Sequence, residues 1–536
     1  MRTSATLLAV CAVLMLQAQT SNFDQFRQQQ RSQFAQFQKD QQAQYDEFRR
    51  RVNEEYAEYM RRAWKEFPVH EADRPVVEQE VKPVVYEAPV PQQPQPEPQP
   101  QTKPQEQPHT QSAPAPVVKE NIESLPVPQE NLAVKPAPAP APVAIPVKPV
   151  VMTVPAPEPA PEPIAPVQPK EQPFKRVSVS YFRSLVTIGF PNTDKLQLKS
   201  VEENAIADAW KILSGSDYDI TVKTALDARK ANDLCDWGYM DMLRKVCEKQ
   251  YGRTNEAVVA QAFLMVQSGY RIRLGNYNRK LQLLVASSYD IYGYKYFVLD
   301  GAKFYVVSGD QTGKMNICES KYGKERSLSM QIARLPKFTS EPTPKRTLTS
   351  KKGVTASASV NKNLIDFFNT YPQACFNGDY RTRWAAYANT PLEPTVQNAL
   401  YTPLKKTIAG MSERQAVEIL LNWVQTAFEY ELDDKVWGHD RAFFAQETLY
   451  YPYCDCEDRS ILFSRLVRDL LGLDVVLLYY PGHLATAVAF SKDEKGDWLT
   501  YKKRKYTVCD PTYINAGVGL TMPGMNNQEA QVIALQ

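Results

Sequence analysis

Histidine is scarce in this chain of 536 residues, which holds four. His70 and His109 fall in a proline-rich stretch that cannot form a pocket, so imidazole chemistry is left to His439 and His483. Glycine is missing from the whole N-terminal third; the first is Gly189. A charge excess is missing too: 63 Lys and Arg face 60 Asp and Glu, for a net charge of +3. That balance gives no electrostatic footprint for nucleic acid. The one dense basic run, Lys502-Lys503-Arg504-Lys505, reads as a solvated hairpin tip. Past the first 19 residues no apolar run reaches the roughly 20 residues that a membrane-spanning helix needs.

What is present divides the chain into five parts. Residues 1–19 read as an export signal, with Arg2 as the positive start, Ala5–Leu16 as the apolar core and cleavage after Ala18 or Gln19. Cys11 lies inside the apolar run behind Val10, which argues against lipid attachment. The mature chain is therefore expected to be exported and soluble, in a periplasm, at a cell surface or secreted. Residues 20–68 carry aromatic rings every 11 residues, at Phe23, Phe34, Tyr45, Tyr56 and Phe67, with a second set at Phe26, Phe37, Phe48 and Tyr59. An 11-residue period is about 3.67 residues per turn, so one long amphipathic helix with an aromatic stripe is expected. The stripe calls for self-association, docking on the protein's own body, or an envelope partner. Residues 69–173 hold 28 of the 41 prolines and no glycine. They are expected to be a disordered, stiff polyproline spacer without secondary structure.

Residues 174–340 return to a globular composition. Helical patterns at 201–213, 233–251 and 255–267 lead through Gly269 into strands at 270–274 and 280–286 and a hairpin, 296–299 with 302–307, turned by Asp300-Gly301. Residues 341–536 repeat that order. Ser412-Glu413-Arg414-Gln415 is a capping box that opens a helix to Phe428, with Ala416, Leu420, Trp423, Val424 and Ala427 on one stripe. A second helix, 457–471, stops at Gly472 and is followed by strands at 474–480, 484–490 and 505–509. Ala485, Ala487 and Ala489 share a face, read as the surface on which that helix packs. The expected class is α+β, with the 174–340 region a degenerate copy of the C-terminal fold.

The C-terminal region carries the chemistry. Cys456 sits at a helix start, where free N–H groups and the dipole favour a thiolate. Glu457 and Asp458 suit the first turn but oppose that thiolate. His483 follows Pro481-Gly482 at the head of a strand, and Asp510 ends another, before Pro511. A thiol, a base and a carboxylate that orients the base are what a cysteine hydrolase requires. Cys454 competes as nucleophile and His439 as base, but neither has the matching helix or strand context. Seven cysteines remain once Cys11 leaves, an odd number, so at least one thiol stays unpaired.

The runs Cys456-Glu457-Asp458, Gly482-His483 and Asp510-Pro511-Thr512 resemble the transglutaminase-like superfamily over residues 410–515. That resemblance implies a papain-like fold with Cys456 as nucleophile, His483 as base and Asp510 as its orienting partner. It implies chemistry on amide or peptide bonds through a thioester, resolved by water or by an amine, with water preferred. No acidic calcium loop is seen, and no cofactor is called for. The backbone N–H of Cys456 is the first oxyanion donor, and Trp437 or Gln446 is a candidate second. The alternative function is a non-catalytic envelope adaptor built on the same domain.

Overall fold

The structure is a computed structural model. It describes residues 173–536 apart from 193–195, 309–313 and 319–324, together with 69–74, 87, 152–164, 167 and scattered positions of a helix between 32 and 61. The signal segment, the aromatic stripe and most of the proline-rich segment lie outside the described residues.

Helix and strand are mixed throughout, as the α+β class requires. Two six-stranded sheets dominate. The first runs in the order 69–71, 314–318, 272–277, 280–287, 302–306, 296–299. The second runs 152–153, 531–534, 474–480, 483–489, 504–509, 498–501. The five strands after the first in each sheet have the same order, the same antiparallel pairing and the same sequence along the chain. A helix precedes the central hairpin in both, Asn255–Gln267 in one and Cys456–Leu471 in the other. Both central hairpins close with two residues, Asn278-Arg279 between Tyr277 and Lys280, and Pro481-Gly482 between Tyr480 and His483.

The proline-rich segment is not wholly without secondary structure, contrary to expectation. Val69–Glu71 adds an antiparallel edge strand to the first sheet, and Met152–Thr153 adds a parallel one to the second. These stretches are proline-free, so their N–H groups can pair with an open sheet edge. Residues 155–164 then run across the body: the Ile164 N–H donates to the Gln267 carbonyl, and Gln331 donates to the Pro155 carbonyl.

A second expectation is corrected on the alanine face. Ala485, Ala487 and Ala489 pack with Val476, Leu478, Val508 and Val532 on the side of the sheet away from the helix. The helix side is built by Leu477, Leu484 and Val488 with Ile461, Leu462, Phe463 and Leu466. The two faces alternate along the strand, and the larger residues fill the helix-to-sheet space. The small face is covered instead by the C-terminal segment around Ala530.

The two units are not independent. Ala374–Phe376 pairs with Tyr289–Ile291 across them, and Trp237 meets Tyr371 edge-on at 6.5 Å. The N-terminal helix reaches the first unit at its far end. Asn53 and Ala57, one turn apart, are buried, and Arg61 pairs with Asp208 at 2.7 Å. No helix among the described residues is long and apolar enough to cross a membrane.

Candidate active site

The helix Cys456–Leu471 is buried along its first three turns and ends at Gly472, whose φ of 66° closes it in the left-handed region. The Asp458 carboxylate accepts the N–H groups of Asp455 (3.2 Å) and Phe443 (2.8 Å), which fixes the helix start against the preceding loop. One turn beyond Cys456, the Ser460 hydroxyl donates to the Leu484 carbonyl at 2.8 Å. That bond holds the opening of the helix beside the head of the strand that carries His483.

His483 and Asp510 are brought into direct contact: Nε2 lies 2.8 Å from Oδ2, and both side chains are buried. A carboxylate only accepts, so Nε2 carries the proton and Nδ1 holds the lone pair. Nδ1 is buried and makes no hydrogen bond. Asp510 is itself held. Its Oδ1 accepts the N–H groups of Thr512 (2.8 Å) and Tyr513 (3.2 Å). The His483 ring stacks on Tyr480, its cross-strand neighbour, with centroids 6.3 Å apart.

Cys456 is 2% exposed, and its Sγ donates to the Glu457 carboxylate at 3.2 Å. No hydrogen bond joins it to Nδ1 of His483. The structure thus assembles the base and its orienting acid and leaves the thiol turned to its own helix neighbour. That neighbour is one of the two acidic residues that the sequence places beside the thiol. Such contacts often tighten only with substrate bound.

The competitors fall elsewhere. Cys454 lies in a short parallel pair, its Sγ donating to the Glu429 carbonyl at 3.6 Å, and burial pushes its pKa up. His439 is exposed and contacts the Trp437 carbonyl. Trp437 packs edge-on to Tyr451 and Phe443 under the Arg441 guanidinium. Gln446 is engaged with Glu393: its Oε1 accepts the Glu393 N–H at 3.0 Å, and its Nε2 donates to the Glu393 carboxylate at 3.4 Å. All seven described cysteines are free thiols. Burial pushes Cys235 up to about 12 and Cys375 up to about 11, so these two are inert at neutral pH.

Carboxylates far apart in sequence gather next to Cys456. Oxygens of Asp433, Asp455 and Asp458 lie within 4.8 Å of one another, as do those of Asp433, Asp440 and Glu457. Protein groups account for the cluster. Asp440 pairs with the buried Arg383, Asp433 accepts the Arg441 N–H, and burial holds Asp458 protonated well above the usual range. We assign no ion to it.

One positioning residue had no sequence signal. Gln425, on the helix Glu413–Ala427, is buried, and its amide donates to the carbonyls of Asp510 (3.0 Å), Tyr513 (2.8 Å) and Ala516 (3.0 Å). It pins the loop that follows the orienting carboxylate. Gln425→Leu should cost about 1–3 kcal/mol through unpaired carbonyls. It should also lower kcat more than it raises KM, because Asp510 loses its alignment. Unchanged kcat in a folded variant would remove Gln425 from the site.

Glu447 supplies a pH test. Burial pushes its carboxyl up to about 7 even though Arg441 lies 2.8 Å away. Between pH 4.5 and about 7 the unfolded chain releases this proton while the folded chain keeps it, so stability falls as pH rises through that window. The decline is at most about 3 kcal/mol and is complete above it. Denaturant melts should show a flatter pH slope for Glu447→Gln than for the native chain; equal slopes would refute the assignment.

No protein-family model matches this chain, and no curated protein matches it.

Proposed function

We propose that the second unit is a transglutaminase-like thiol acyl-transfer centre, acting on amide or peptide bonds of a protein or peptide substrate. The observation that carries this reading is the buried His483–Asp510 pair at 2.8 Å, set at the head of the strand along which the Cys456 helix packs. The Sγ proton passes to Nδ1 of His483, whose charge is stabilised by Asp510 through Nε2–H. The Sγ–C bond forms, and the oxyanion faces the Cys456 N–H at the start of the helix. The tetrahedral adduct collapses to a thioester as the amine departs with the proton from Nδ1. Water, deprotonated at Nδ1, then releases the acid and restores the thiol; an amine in its place gives a new amide. Each of the three side chains is 2% exposed or less, so substrate entry requires the surrounding chain to open.

A second reading, an adaptor without catalysis, is favoured by the first unit, which repeats the sheet order with no His among residues 174–340. One experiment separates them. The purified chain and Cys456→Ala are each incubated with an envelope-protein extract, and peptide and isopeptide bonds are compared by mass spectrometry. Bonds cut or formed only by the native chain support the enzyme. Identical products from both leave the adaptor.

A further inference from the structure

The first unit keeps a cleft where the second has its triad. The equivalence runs residue by residue. Asn255 opens its helix as Cys456 opens the other. Lys280 follows the two-residue turn after Tyr277 as His483 follows the turn after Tyr480. The Val307 N–H donates to the Leu283 carbonyl, matching the pairing of Cys509 with Thr486, so Ser308 stands in the place of Asp510. All three of Asn255, Lys280 and Ser308 line one cavity of about 960 Å³. These three positions hold no thiol, imidazole or carboxylate, and they line a hollow within the size range of ligand sites.

The hollow is preorganised. The Asn255 side chain donates to the Arg279 carbonyl (3.2 Å) and accepts the Leu281 N–H (2.9 Å), tying the helix start to both sides of Lys280. Arg244 is fixed between Asp241 (2.6 Å) and Glu248 (3.0 Å). Trp237 and Tyr294, packed edge-on at 5.4 Å, form an apolar wall. The charge on the lining is unbalanced: Arg244, Lys245, Arg253, Arg279 and Lys280 face only Asp241, Glu248 and Glu256. Glu256 is spent on the Leu198 N–H, and Arg279 and Lys280 are exposed at the mouth without a carboxylate partner among the described residues.

We propose that this emptied cleft binds an acidic peptide, its carboxylates against Arg279 and Lys280 and its backbone along the Trp237–Tyr294 wall. The site does not depend on chemistry at Cys456. Full-length protein is titrated with hexaglutamate and with hexaglutamine, followed by calorimetry and tryptophan fluorescence. Hexaglutamate should bind, more weakly as salt is added, and hexaglutamine should not. The double substitution R279E and K280E, both at exposed positions, should weaken hexaglutamate about tenfold or more. Cys456→Ser should bind as the native chain does. Should the double variant unfold by circular dichroism, Lys280→Gln replaces it, with a smaller loss expected. The proposal is overturned if hexaglutamate fails to bind, if hexaglutamine binds equally well, or if a folded charge variant keeps native affinity.

Discussion

Cys456→Ser and His483→Ala should each lower kcat by about 10⁶-fold, because members of one catalytic unit fail together and their losses do not add. Asp510→Asn should retain more, with a loss of about 10⁴-fold. An amide at that position can turn its oxygen or its nitrogen to Nε2, so it no longer enforces the tautomer that leaves the lone pair on Nδ1. Cys454→Ser should stay within about threefold of the native rate. Its thiol is engaged with the Glu429 carbonyl and held protonated by burial, two residues before the helix begins. The measurement is turnover of a bond identified in the extract experiment. Equal losses at Cys454 and Cys456 would sink the assignment and point to a shared structural role for the two sulfurs.

Gly519→Ala should be among the most damaging conservative changes in the second unit, lowering its stability by about 4 kcal/mol. The backbone of Gly519 crosses that of Gly496, and a Cβ on Gly519 would lie 2.5 Å from both the Gly496 Cα and the Lys495 carbonyl oxygen. Its φ of +90° adds about 1–3 kcal/mol of strain for any other residue. The crossing is also hydrogen-bonded. Gly519 N–H donates to the Val508 carbonyl at 2.7 Å, and Asp497 N–H donates to the Gly519 carbonyl at 2.8 Å. Val508 lies two residues before Asp510, so a displaced crossing moves the orienting carboxylate as well. Thermal unfolding should drop by about 10 °C, with activity falling at temperatures where the variant is still folded. A melt within about 2 °C of native would show that the loop relaxes freely.

Local pattern recovered much of the fold. The strand 474–480, the helix 255–267 and the hairpin strand 296–299 lie where periodicity put them, and the Ser412 cap and the Gly472 stop are present. Each is marked by short-range chemistry: an apolar alternation, a cap, a left-handed glycine. Elements without such marks were missed. The hairpin 174–191 turns at Phe182-Arg183, both at positive φ without glycine or asparagine to announce it. The helix 219–231 has a weakly amphipathic sequence. The edge strands at 69–71 and 152–153 depend on partners more than 200 residues away.

The sequence by itself determined the elements that carry their own caps and turns, among them the helix after Ser412 and the helix from Cys456 to the Gly472 stop, and marked His483 and Asp510 as candidates, because caps, turns and residue chemistry act over a few positions. Only the tertiary structure decided which sheet face the helix covers, that Gln425 holds the Asp510 loop, that Asp433 and Asp440 join the carboxylates beside the thiol, and that the first unit's triad place is a charged hollow. Those outcomes turn on side-chain volume and on hydrogen bonds between segments remote in the chain, and neither leaves a periodic trace along it.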